Sequence, residues 1–300
     1  MEHKTLKAQG LVKAYGKKQV LHGINIEFRP GCIYGLIGRN GAGKTTLLGC
    51  LTGQLRPTGG QVLYGEDLVW ENAKALENIC FSREMSTTFF AGPNTYKIRD
   101  YMRAARAYYP GWDEEYAQKL VAEFGLNVKK QISKLSKGML SMVTIVLALA
   151  SRAPVTILDE PVAGLDVVAR QRFYDLLLED FEQTGRTFVV STHILDEASP
   201  IFEEVVVLDE GNIIAMDNTD HLLSVLHQVS GLEDEVDAAV EGMELLSSRK
   251  TGRSKTVVVR CEESLLQRAV AGRPVDASRL NLQNAFIALT GHKEDSHDQK

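Results

Sequence analysis

Apolar and polar positions alternate over residues 5–15 and again over 19–28, with Gly16-Lys17-Lys18 between them. A period of two predicts a pair of strands joined by a short turn. Arg29-Pro30-Gly31 punctuates the chain, and the apolar run 32–37 after it reads as a short buried strand. A glycine-rich loop follows, then a helical pattern over 45–52, so strand, loop and helix open an α/β unit. From Thr95 to about Lys130 the spacing becomes that of helices, in IRDYMRAARAYY and EEYAQKLVAEFGL, separated by Pro110-Gly111. This predicts a helical subdomain inserted over about 95–152. Within it, 139–150 is apolar apart from Ser141 and Thr144. A membrane span needs roughly 20 apolar residues, so this stretch reads as a core helix.

Compact apolar runs at 154–158 and 187–191 fit buried parallel strands. Residues 205–208 and 213–216 flank Asp209-Glu210-Gly211-Asn212 and predict a hairpin. Beyond Asp217 the chain is more charged. One strand (256–261) and two helices are expected there, forming a small α+β accessory domain over 218–291. The polar tail HKEDSHDQK, 292–300, predicts disorder. No internal repeat is visible.

Composition changes this picture little. A chain of 300 residues can bury a sizeable core. Its net charge of -5 gives no general reason to expect nucleic acid, whose binders carry a basic face. The four cysteines form no CxxC pair, which suits a reducing compartment. MEHKTLKAQG lacks the apolar centre of a signal peptide. A cytoplasmic chain is expected, reaching the inner face of the membrane only through a partner.

The chemistry-bearing residues start with Gly38-Arg39-Asn40-Gly41-Ala42-Gly43-Lys44-Thr45-Thr46, a G-x-x-x-x-G-K-[ST] loop between a strand and a helix start. Small residues let consecutive N–H groups wrap a phosphate, and the helix N-terminus adds partial positive charge. Lys44 would reach the β- and γ-phosphates of a bound nucleotide, and the Thr45 hydroxyl would ligate Mg²⁺. The strand Val155-Thr156-Ile157-Leu158 ends in Asp159-Glu160. Paired acids at the end of a buried strand are costly unless something uses them. Asp159 would hold Mg²⁺ through water, and Glu160 would act as general base on the attacking water.

Leu135-Ser136-Lys137-Gly138-Met139 precedes that strand, Pro161-Val162-Ala163-Gly164-Leu165-Asp166 follows it, and Ser191-Thr192-His193 comes after a further strand. In this order the set resembles the ATP-binding subunit of ABC transporters, with P-loop, signature, Walker B, D-loop and switch histidine, over about residues 4 to 217. The resemblance implies a P-loop NTPase core with an N-terminal antiparallel β subdomain and an inserted helical subdomain. It also implies that one subunit cannot complete its own site. Ser136 and Gly138 would close on the γ-phosphate held by a second cassette, in a homodimer or a heterodimer with a related ATPase subunit. Asp166 would link the two sites and His193 would contact the γ-phosphate and Glu160. Tyr15 would stack under adenine, or else be an exposed loop tyrosine.

Three positions depart from the family pattern: residue 84, Lys137, and Met139, which stands where a polar residue is usual. Where a glutamine is usual, this chain has Glu84, either a true substitute able to ligate Mg²⁺ or a solvated charge after a shifted loop. LSKGM stands where LSGGQ is commoner, so Lys137 replaces a glycine. LSKGM, Tyr108-Tyr109-Pro110-Gly111-Trp112-Asp113-Glu114-Glu115 and the ending Asn281-Leu282-Gln283-Asn284-Ala285-Phe286-Ile287-Ala288-Leu289-Thr290-Gly291 resemble single-cassette subunits that pair with ABC-2-type membrane subunits in bacterial drug and peptide export. That likeness implies a contact with the membrane subunit through the helical subdomain and the loop 81–90, in which Phe89-Phe90 are either the contact itself or buried loop anchors. The alternatives are a soluble ABC ATPase of translation or DNA repair, and a regulatory cassette with little turnover.

Overall fold

Alternating burial along β1 (Leu6–Tyr15) and β2 (Lys18–Phe28) makes them an antiparallel pair, closed by a turn that matches Tyr15 to Lys18. The computed structural model describes residues 3–84 and 96–291. Phe89-Phe90 and the 292–300 tail lie outside those residues. β3 (Ile33–Ile37) is buried at every position and leads through the glycine-rich loop into α1 (Lys44–Leu51). β4 (Gly59–Tyr64) and β5 (Asp67–Leu68) return to the first pair, giving a four-stranded sheet of order β2-β1-β4-β5. The expected N-terminal antiparallel subdomain is this sheet.

A short α2 (Ala73–Leu76) precedes β6 (Ile79–Arg83). The helical subdomain then comprises α3 (Ile98–Tyr108), α4 (Glu114–Glu123) and α5 (Lys137–Ala150). Asp113 caps α4 by accepting the Tyr116 N–H at 2.9 Å. Nine residues of α5 are buried, as its apolar run predicts. Among the described residues no helix is long and apolar enough to cross a membrane.

β7 (Val155–Asp159), α6 (Val167–Thr184) and β8 (Thr187–Ser191) complete the α/β core, followed by α7 (Leu195–Ala198) and the hairpin β9 (Glu204–Asp209) and β10 (Asn212–Asn218). The six-stranded sheet has the order β10-β9-β3-β8-β7-β6. Its parallel register sets Leu36 beside Ser191, Ser191 beside Asp159 and Asp159 beside Arg83. The carboxyl ends of β3, β8, β7 and β6 therefore share one edge, where open α/β sheets bind ligands.

The chain divides into two compact units. The first runs to Phe202 and includes Leu208–Ile213; the second takes Glu203–Val207 and the residues from Ile214 onward. The sequence pattern predicts the boundary between these two parts at 217; the division runs within β9 and β10. The second unit holds α8 (Thr219–Ser224), β11 (Leu226–Leu232), α9 (Glu233–Ala239), β12 (Glu244–Thr251), β13 (Ser254–Arg260), α10 (Glu263–Val270), β14 (Val275–Arg279) and α11 (Leu282–Thr290). The sequence pattern predicts one strand and two helices here; the structure has four strands and four helices. The antiparallel order β12-β13-β11-β14 makes β11 to β14 a split βαβ arrangement, built around Val229, Val236, Val257, Val259 and Leu266. β12 and β14 are edge strands with mostly exposed, polar residues, so they carry little of the alternation that marks a strand in sequence.

Candidate functional site

Gly43 occupies the N-cap of α1 with φ 107°, a conformation that an L side chain would strain. The loop can therefore turn back on itself and point the first amides of α1 outward. Lys44 is buried at the first position of α1 and donates from Nζ to Gly38 O at 2.6 Å and Arg39 O at 3.3 Å. Burial pulls its ammonium below the usual lysine pKa, while Glu160 and Asp159 oppose that shift. The Thr45 hydroxyl donates to Asp159 Oδ2 at 2.9 Å, joining the loop to the end of β7. A cavity of ≈ 370 Å³ opens here, lined by Asn40, Gly41, Gly43, Lys44, Thr45, Thr46, Asp159 and Glu160. Lys18, Val20 and Arg39 also line it, which sequence reading did not single out. Lys18 and Val20 reach the cavity because β2 passes beside the loop, a proximity that no local motif announces.

Glu160 has φ 52°, the left-handed region that is rare for a residue with a side chain. Its N–H donates to Ser191 O at 2.9 Å, which holds the turn against β8. The strained backbone turns its carboxylate toward His193, whose Nδ1 lies 2.7 Å from Glu160 Oε2. His193 is otherwise largely exposed. Strain of this sort costs about 1–3 kcal/mol and is retained where surrounding structure over-determines it.

The signature and D-loop pack against each other. Ser136 caps α5, its hydroxyl accepting the Met139 N–H at 3.3 Å. Gly138 lies so close to the D-loop that a Cβ there would stand 2.6 Å from Gly164 O. Ser141 donates to Ala163 O at 2.6 Å, a second tie between α5 and the same loop. Asp166 is the N-cap of α6, accepting the Ala169 N–H at 2.8 Å, and is exposed. Beyond it Val167 and Val168 are 64% and 79% exposed, more than apolar side chains on a covered face would be.

Tyr15 and Glu84 stand apart from this cavity. Tyr15 is 49% exposed at the end of β1, with Lys13 Nζ 5.0 Å from its ring centroid. It pairs across the hairpin with Lys18, a residue of the cavity wall. Glu84 follows β6 directly, and its carboxylate meets Lys137 Nζ at 2.9 Å. It is not among the residues lining the cavity.

One buried ionic network also went unmarked in the sequence. Arg186 is 1% exposed and bonds Asp180 through Nε at 2.7 Å and Nη2 at 2.8 Å. Arg152 bonds Asp180 at 2.8 Å and Asp113 at 3.0 Å. The start of α4 in the helical subdomain is thereby tied to α6 and to the start of β8.

The glycine-rich loop, the Thr45–Asp159 oxygen pair and the Glu160 carboxylate against His193 thus meet at one sheet edge. The family described as ABC transporter matches residues 21–163. Lantibiotic transport ATP-binding protein SrtF of Streptococcus pyogenes is 30% identical, over 70% of this chain and 89% of that protein. Daunorubicin/doxorubicin resistance ATP-binding protein DrrA of Streptomyces peucetius is 27% identical, over 97% of this chain and 94% of that protein. Among solved structures, an ATP binding subunit of an ABC transporter superposes with a TM-score of 0.64 at 25% identity, covering 72% of this chain and 91% of that one. Motif order, sheet edge and relatives agree, and the chain belongs to the ATP-binding subunits of ABC transporters.

Proposed function

We propose that this chain hydrolyses Mg·ATP as one half of a head-to-tail dimer of cassettes, and that closure of the dimer drives export through a separate ABC-2-type membrane subunit. The observation that carries this reading is the convergence of Lys44, the Thr45–Asp159 bond and the His193–Glu160 contact at one edge of the parallel sheet.

Thr45 and Asp159 offer only oxygen atoms, the donor set that suits Mg²⁺. An ion held there would neutralise charge on the β- and γ-phosphates. Lys44 turns its ammonium from the loop carbonyls to those phosphates. Glu160, oriented by His193, takes a proton from the attacking water as its oxygen bonds to the γ-phosphorus. The bond from that phosphorus to the β–γ bridging oxygen breaks, leaving ADP and phosphate. Such a base contributes about 10²–10⁴ in rate. The second cassette supplies Ser136 and Gly138 at the N-terminus of its α5, where amides and helix dipole favour an anion. Asp166, Val167 and Val168 supply exposed surface for that contact.

A groove of ≈ 510 Å³ between α3, β6 and α5 of this chain, lined by Phe81, Tyr101, Tyr108, Tyr109 and Leu147 among others, would receive the membrane subunit. An apolar groove with phenol rims fits an amphipathic cytoplasmic helix of such a subunit. Lantibiotic transport in the name of SrtF and daunorubicin/doxorubicin resistance in that of DrrA support a drug or peptide as the exported cargo.

Light scattering on Glu160→Gln, with and without Mg·ATP, tests the central claim. The molar mass should double only with nucleotide. A monomer with ATP demonstrably bound would remove the homodimer and direct attention to a related cassette.

A further inference from the structure

Two of the three positions where this chain leaves its family's pattern, Glu84 and Lys137, meet each other. Glu84, at the end of β6, and Lys137, at the first position of α5, form an ion pair at 2.9 Å across 53 residues of sequence. Nothing local accounts for a lysine there. The first turn of α5 carries no acidic residue, and a cation at a helix N-terminus opposes the helix dipole. The lysine stem is also fixed from below. A Cβ on Gly164 of the D-loop would stand 2.8 Å from Lys137 Cγ and 3.1 Å from its Cδ. Lys137 thus runs from the D-loop, past the signature, to the carboxylate that follows β6.

We propose that Glu84 is the resting counter-ion of Lys137, and that closure of the cassette pair exchanges this contact for one between Lys137 and the γ-phosphate held by the opposite subunit. The proposal rests on the head-to-tail dimer. Lys137 stands between Ser136 and Gly138, so the closure that brings those two to the opposite phosphate brings an ammonium with them. A single carboxylate cannot compete with a multiply charged phosphate once the two surfaces meet. In the separate subunit Glu84 neutralises the ammonium and holds the signature helix to the end of β6. Glu84 then acts as a positioning residue, with Lys137 as the binding residue.

The test measures the ATP concentration at which Glu160→Gln dimerises, by light scattering, in four further backgrounds. Glu84→Gln frees Lys137 and should lower that concentration by about two- to five-fold, the scale of one exposed ion pair. Lys137→Gln should raise it by about ten-fold, the scale of one charge-assisted hydrogen bond. The Glu84→Gln/Lys137→Gln double variant should match Lys137→Gln, because Glu84 acts only through the lysine. The exchange Glu84→Lys/Lys137→Glu restores an ion pair but places a carboxylate at the phosphate, and should abolish dimerisation. A purely structural pair predicts the opposite for that exchange, so a normal dimer there overturns the proposal while leaving the sandwich intact. A Glu160→Gln parent that stays monomeric with ATP bound removes the homodimer, and with it this exchange between two copies of the chain.

Discussion

Single residues at this site are held in geometries that other residues would not choose. Glu160 is the clearest case, with a left-handed backbone, an N–H on Ser191 O and a carboxylate on His193. Glu160→Gln keeps the shape and loses the base. Steady-state ATP turnover should fall by about two to four orders of magnitude, while equilibrium binding of a fluorescent ATP analogue stays close to the parent value. A second test at this scale concerns Asp180, whose side chain is fully buried between Arg186 and Arg152. Asp180→Ala leaves the buried guanidinium of Arg186 without its carboxylate. Urea unfolding should show a loss of about 3–5 kcal/mol, and a loss below 1 would mean that the network relaxes around the gap. Lys44, Thr45, Asp159 and Glu160 were legible in sequence because each sits within a few residues of its motif partners. The Arg186–Asp180–Arg152–Asp113 network was not, because Asp113, Arg152 and the Asp180–Arg186 pair lie in three separate segments and none carries a local signature.

Among the elements, α5 joins the core to the D-loop and to the end of β6. Its apolar run is long enough to read as a buried helix and too short to span a membrane, and both readings agree with its nine buried residues. At its start Lys137 and Gly138 pack against the D-loop, and Lys137 also meets Glu84. Gly138→Ala would drive a methyl group against Gly164 O, displacing signature from D-loop. ATP-dependent dimerisation should be lost in that variant, whereas nucleotide binding by the separate subunit persists. Dimerisation with normal ATP dependence would show that the D-loop can retreat. α4 offers a pH test through its cap. Burial raises the pKa of Asp113, but the Tyr116 N–H and the Arg152 guanidinium outweigh it, leaving the carboxyl below its usual value. A carboxyl lowered by folding adds stability above its ordinary pKa, and that stability is lost as pH falls through the folded value. Asp113→Asn keeps a competent N-cap and drops the ion pair. It should cost about 1 kcal/mol at neutral pH and flatten the loss of stability on acidification, read from urea midpoints along a pH series.

For the whole molecule, two units with separate cores imply two transitions. The second unit packs around Val229, Val257 and Val259, all fully buried, at a distance in sequence from the nucleotide motifs. Calorimetry should resolve two unfolding events, only one of which rises as ATP is added. Val259→Asp buries a charge in the second core and should lower the other event alone; a single event that moves as one would show that the units unfold together. The sequence by itself determined the α/β core, the helical insertion, the phosphate loop and the order of the nucleotide motifs. Those features depend on short-range periodicity and on residue types that only one chemistry requires. It did not determine the strands of the second unit, since β12 and β14 are polar edges whose pairing with β13 and β11 defines them as strands. Nor did it determine that Glu84 meets Lys137. Each was visible as a departure from a pattern, but their contact exists because β6 ends where α5 begins in space. Local chemistry is written in neighbouring residues, whereas a contact between distant segments forms only once the sheet and helices have packed.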